Sequence, residues 1–393
     1  MKNNEMEGWY IKNNYAFDRS NLNFIKKWWL NIDKVNYLLI NFIIIFGLFV
    51  VISASPYVAK RIGVEYSFFI KKQIVFVFIS IIILNIFSFL SRDYIKIISI
   101  LGLLTCIILL ISVLVTGFEI KGAKRWVFLF GFTLQPSELA KIFFLVVNAF
   151  ILNKAKNEKW FVKYGLSCAT YFILAALLIL QPDFGMTFLL TLTWLVQLFA
   201  FGLPLIFIFF VLIMIGFGII FAYHTIPHVA SRINKFLDIN IGNYQVDRSI
   251  DAYINGGFFG TGIGNGFVKK YIPDGHTDFI FAVISEEFGL IFALVIILVF
   301  LIVITRVLKR MIVENDPFIY LATIGLISLY TLQTLINLGV SVAMLPTKGM
   351  TLPFISYGGS SMFAMSICFG IILSFTKKKY DNEIEQKNIV LSK

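Results

Sequence analysis

Long runs of Phe, Ile, Leu and Val, interrupted by short polar stretches, fill the chain from about residue 35 onward, and the runs do not alternate apolar with polar positions. Alternation would mark strands, including those of a membrane barrel; uninterrupted apolar runs predict helices. With about 20 apolar residues needed per crossing, ten segments qualify: 35–54, 73–90, 94–116, 136–153, 164–180, 186–201, 203–223, 279–307, 317–345 and 362–375. The fold class is therefore an all-α polytopic membrane protein. An even number of spans puts both termini on one side. Residues 181–185 and Gly202 leave almost no loop between spans five, six and seven, so tight turns or broken helices are expected there.

The polar interruptions carry the candidate chemistry. In residues 117–135, Lys121, Lys124 and Arg125 sit beside Trp126, a combination that either anchors the chain at the interface or seats an anionic headgroup. The sequence QPSELAK that follows reads as a helix start, with Pro136 at the first helical position and Glu138 in the first turn. Lys141 lies three residues beyond Glu138, a spacing that pairs them on one face. In QPDFG, Asp183 either caps the next span or faces a cavity.

Residues 224–277 form the large loop, rich in glycine toward its end. The glycines are expected to fold the backbone tightly at the bilayer surface and leave amides for phosphate or sugar oxygens. No strand precedes them, so a dinucleotide-binding loop is not indicated. His224 and His228 have an H-x3-H spacing, but Pro227 lies between them and no second ligand pair is evident.

The loop ends in KKYIPDGHTDFIFAVISEEFG, residues 269–289, with four carboxylates next to a long apolar run. Acids so close to lipid are costly and should face protein or water. A helix phased from Asp278 places Ala282, Ser285 and Gly289 on its side, Glu286 nearby and Glu287 on the opposite face. The first two turns are expected to project into a wet vestibule, lowering the cost of Glu286 and Glu287. Asp278 itself reads either as a helix cap or as a functional acid. The last loop, LPTKGMTLPFISYGGSS, holds one cation, Lys348, which either meets a phosphate or marks the interface.

Composition agrees with the pattern: 59% of residues are hydrophobic, 43 are Phe, and mean hydropathy is +0.85. Only 14% are charged, against about 25% in soluble domains, which excludes a water-soluble protein. Lys and Arg outnumber their counterparts on the side holding both termini, predicting a cytoplasmic N-terminal segment (1–34) and tail (377–393) around a membrane domain (35–376). The formal charge of +12 reflects this bias and contact with anionic membrane lipid rather than nucleic acid. No cleavable signal pattern precedes the first span. The three cysteines fall inside spans and offer no disulfide framework.

Taken in order, GAKRW with QPSELAK, QPDFG, PDGHTDFIFAVISEEFG and LPTKGMTLPFISYGGSS resemble the motifs of the SEDS family of peptidoglycan glycosyltransferases across nearly the whole membrane region. PTKGMTLPFISYGG is similar to the division branch (FtsW-like) rather than the elongation branch (RodA-like). The resemblance implies a polymerase joining lipid II units into glycan strands at the outer face of the cytoplasmic (inner) membrane. It maps the family's essential aspartate onto Asp278, as general base, and it implies pyrophosphate contacts from Arg125 and Lys348, with Lys124 and Trp126 beside them. Supporting roles fall to Glu286, Glu138, Lys141, Asp183, His276 and Ser356. The implied partners are lipid II, the lipid-linked glycan strand, a class B penicillin-binding protein transpeptidase and other division proteins. No cofactor is evident and no ligand spacing demands a metal, although a divalent cation (Mg or Mn) could sit with Asp278 or Glu286. A lipid II flippase is the alternative of another class, and its signature would be charges deep in several spans.

Overall fold

A computed structural model describes residues 23–120, 123–129, 132–226, 230–231, 233–234, 244–347 and 349–377. A short helix α1 (Phe24–Asn31) precedes α2 (Lys34–Arg61), α3 (Phe68–Phe89) and α4 (Arg92–Thr116). Three short strands follow: β1 (Phe118–Ile120), β2 (Ala123–Leu129) and β3 (Phe132–Leu134). Then come α5 (Pro136–Lys154), α6 (Trp160–Leu180), α7 (Phe184–Ala200), α8 (Leu205–Thr225), α9 (Tyr244–Gly256), α10 (Ile280–Ile312), α11 (Pro317–Ser341) and α12 (Gly359–Phe375).

The ten predicted segments coincide with α2–α8 and α10–α12. Among the described residues, eight helices are long and apolar enough to cross a membrane. The other two, α7 and α12, have 17 residues each, about 26 Å at helical rise. Their starts follow local rules. The Asp33 carboxylate accepts from Asn36 N at the head of α2, and Asp316 caps α11 with Pro317 in its first turn. The turn between α6 and α7 is as tight as expected, with Pro182 at φ 29°, and Gly202 at φ 102° turns the chain toward α8.

Helix α5 is the central post, packed against α4, α6, α7, α11 and α12. Most of its side chains are buried, whereas α8 has no buried residue in its most apolar stretch and touches the core only through half-buried side chains such as Ile208 and Val211. Two elements depart from the sequence reading. The stretch 117–135 forms an antiparallel sheet in the order β1-β2-β3, with Glu119 opposite Lys124 and Val127 opposite Leu134. The region 224–277 is not one loop, because α9 occupies its middle and docks on α10. His228 and the tail from 378 onward lie outside the described residues.

Candidate active site

Helix α10 is two helices joined at Gly289, whose φ of 83° and ψ of 169° are open only to glycine. Interrupting a helix releases backbone groups that must find partners away from water. The glycine-rich segment supplies them. Thr261 N and Gly262 N donate to the carbonyls of Glu286 and Glu287 at 2.9 and 3.0 Å, and Leu290 N and Ile291 N donate to the carbonyls of Gly257 and Phe258 at 2.9 and 3.3 Å. A Cβ on Gly289 would collide with the backbone of Phe259 and Gly260. These amides therefore grip the broken helix; they do not stand free for phosphate or sugar, as the sequence had suggested.

The acids beside the break are buried in protein, not in a wet vestibule: Glu286 is 0% and Glu287 2% exposed. Glu286 accepts from Val268 N and Lys269 N, both at 2.7 Å, and from Asn255 Nδ2 at 2.8 Å. Its two oxygens thus fasten the preceding loop. Glu287 turns toward α2 and the preceding loop. It pairs with the Lys269 ammonium and accepts from Ser53 Oγ at 2.5 Å and Gly264 N at 3.2 Å.

Asp278 sits just ahead of α10, half-buried, and is not its cap. Phe279 occupies that position without a side-chain cap bond. The Asp274 carbonyl accepts from Thr277 N and Asp278 N at 3.0 and 3.1 Å, with Asp274 itself at φ 54°. The last loop closes over this turn. Gly349 comes so near that a Cβ there would stand 3.2 Å from Asp278 Oδ2. Asn337 on α11 donates to the carbonyls of Asp278 (2.9 Å) and Met350 (2.6 Å), tying the two segments together. Ser356 Oγ donates to Thr277 O at 2.5 Å and accepts from Leu352 N at 2.8 Å. Tyr357 N donates to His276 O at 2.9 Å, and the His276 ring clusters with those of Phe69 and Tyr357, 4.7 and 5.3 Å away by centroid. Burial pushes the Tyr357 phenol up to about 12, so it stays protonated at neutral pH.

The remaining motifs join the same end. Arg125 donates from Nε to Gln181 O at 3.2 Å and from Nη2 to Pro182 O, with Asp183 Oδ1 3.7 Å from Nη1. Asp183 both caps α7, accepting from Met186 N at 3.3 Å, and accepts from Gln135 Nε2 at 3.2 Å. Gln135 N in turn donates to Ser360 Oγ at 3.0 Å. Lys124 and Trp126 alternate with Arg125 along β2, so the three do not share one face. Lys124 is exposed and Trp126 half-buried. The expected Glu138–Lys141 pair is present at 2.6 Å, and Lys141 Nζ also donates to Gln333 Oε1 at 2.8 Å. Gln333 Nε2 continues to Thr351 O at 3.1 Å, and Thr351 Oγ1 lies 2.7 Å from Ser361 Oγ. Lys348 lies outside the described residues.

Gln333, Asn337, Lys269 and Ser53 were missed in the sequence. The first two had a signal, because amides four apart in an apolar helix mark a polar face turned to protein. Among the described residues no three His, Cys, Asp or Glu side chains converge as metal ligands. Glu286 is also held by loop donors, so it does not fit as a second ligand beside Asp278.

The sequence matches the FtsW/RodA/SpoVE family of cell cycle proteins over residues 34–381. It is 36% identical to a Caulobacter vibrioides protein named "Probable peptidoglycan glycosyltransferase FtsW", over 93% of this chain and 94% of that one. Two solved structures share the fold. A chain of a peptidoglycan synthase complex that coordinates polymerization and crosslinking aligns with a TM-score of 0.73 at 24% identity, covering 88% of this chain and 98% of that one. The rod shape determining protein RodA of Thermus thermophilus aligns at 0.66 and 25% identity, covering 88% and 97%.

Proposed function

Because this chain belongs to the FtsW/RodA/SpoVE family of cell cycle proteins, we propose that it is the peptidoglycan glycosyltransferase of the division branch, polymerising lipid II into glycan strands during septal wall synthesis. The observation that carries the reading is that four separate polar motifs lie at one end of the helix bundle, three of them tied to one another by hydrogen bonds, with the half-buried Asp278 two residues ahead of α10 and the last loop against it. Gathering polar chemistry at one end suits an enzyme better than a carrier, whose charges would line a path through the bilayer.

In this reaction the Asp278 carboxylate accepts the proton of the sugar 4-hydroxyl of incoming lipid II. The oxygen, more nucleophilic as its proton leaves, forms a bond to the anomeric carbon of the lipid-linked strand with inversion. The bond from that carbon to the lipid pyrophosphate breaks, and its electron pair leaves with the phosphate oxygen. Arg125, Lys124 and Lys348 are the cations proposed to stabilise that developing charge. Arg125 would exchange its hold on the Gln181 and Pro182 carbonyls for the pyrophosphate. The site lies on the outer face of the cytoplasmic membrane, with both termini cytoplasmic, and the product strand passes to a class B penicillin-binding protein. No step is routed through a metal ion.

The test is Asp278→Asn in purified protein, given labelled lipid II and the transpeptidase partner. The expected result is a folded protein without polymer. Polymer at the wild-type yield would sink the general-base assignment, and lipid II translocation without polymer in either protein would favour a flippase.

A further inference from the structure

Lys269 and Glu287 have side chains at most 1% exposed, and neither belongs to the reacting centre. Removing two charges from water is costly, and an apolar pair of similar volume packs as well or better. What the ion pair adds is direction. Glu287 Oε1 accepts from the Lys269 ammonium, Ser53 Oγ and Gly264 N, and Lys269 Nζ donates to Ser53 Oγ at 2.8 Å. Tyr57 offers its ring to both Lys269 and Lys270, whose ammonium groups stand 5.4 and 5.3 Å from the centroid. Arg61 Nη2 donates to the Lys270 carbonyl at 2.7 Å and approaches that of Ile272 at 3.5 Å.

Ser53, Tyr57 and Arg61 fall at successive i, i+4 positions, on one face of α2. That face meets residues 269–272 at three levels. Lys269 and Lys270 lie in the 3₁₀ turn Val268–Lys270, and from Ile272 the chain reaches Asp278 through the turn closed on the Asp274 carbonyl. The short helical piece from Ile280 to the break at Gly289 therefore follows directly on Asp278 and carries Glu286 and Glu287 at its far end.

We propose that the Ser53–Tyr57–Arg61 face of α2, acting through the Lys269–Glu287 pair, is a positioning device that sets how far Asp278 reaches toward the acceptor hydroxyl. The inference rests on Asp278 being the base. None of the five residues touches substrate; they act through the loop that delivers the carboxylate.

The decisive protein is the doubly neutral variant Lys269→Met/Glu287→Gln, assayed in full-length form with its transpeptidase partner and lipid II. With no unpaired charge left, it should melt near the wild-type temperature. A misplaced base should lower kcat by about a hundredfold, while KM for lipid II stays within about twofold. Ser53→Thr, which keeps the hydroxyl, should retain activity that Ser53→Ala loses. Should the buried double variant fail to fold, Arg61→Gln at the exposed end of the same face decides, with kcat expected about tenfold lower at constant KM. Wild-type turnover in the folded variants, or a loss carried by KM alone, would overturn the proposal. Asp278→Asn run alongside separates the cases: if it polymerises normally the base assignment has failed, whereas if it is dead and the positioning variants are fully active only this inference has.

Discussion

At the residue scale, the buried ion pairs organise the site. Glu138 and Lys141 were legible because their spacing is local, three apart on one helix. The partner of Glu287 was not legible, because Lys269 comes from a loop that folds back onto α10. Sequence spacing reports neighbours on one element and is blind to such returns. The Glu138–Lys141 side chains are 9% and 1% exposed. Removing one partner leaves a naked charge in low dielectric, so Lys141→Met alone should cost about 3–5 kcal/mol. Lys141→Met/Glu138→Gln should recover much of it, as thermal unfolding in detergent would read. Tyr357 gives a pH prediction. Its phenol is raised by burial to about 12, so the folded state holds a proton that the unfolded state has released. The stability that Tyr357 contributes is fully present below the ordinary tyrosine value of about 10 and is lost as pH rises toward 12. Tyr357→Phe should therefore show a shallower fall in unfolding temperature across that window.

At the element scale, hydropathy located the ten apolar helices to within a few residues at most ends, because each needs a long continuous run. It missed the three-stranded sheet, since AKRWVFL in β2 has no alternating pattern and its pairing with β1 and β3 is made by the backbone. It also missed the interruption of α10, because glycine inside an apolar helix looks unremarkable until the opposing loop is known. That interruption is testable. Gly289→Ala forces a side chain into a conformation costing about 1–3 kcal/mol and into contact with the 258–260 backbone. Both melting temperature and polymerisation should fall. Gly349→Ala asks a different question, for its methyl would press on Asp278 at 3.2 Å. It should lower turnover with little change in melting temperature, which would place the last loop against the base in the working enzyme.

At the scale of the whole molecule, four motifs spread over the length of the chain converge because α5, α10 and α11 bring their ends together. The proposed orientation, with both termini cytoplasmic, rests on charge bias and has a direct check. A cysteine at Ile263, which is 73% exposed, should react with an impermeant maleimide on intact spheroplasts, whereas one at Asn157, on the opposite end, should react only after permeabilisation. The interrupted α10 finally has a consequence for biogenesis. As this helix leaves the insertion channel, its opening turns carry two carboxylates that lipid would reject. Their partners, the amides of Val268 and Lys269 and the Lys269 ammonium, precede them in the chain and have been synthesised about a second or a few seconds earlier. In this order of synthesis, the groups that satisfy the two acids are made before the acids themselves, so neither carboxylate has to wait for a later segment to find its partner.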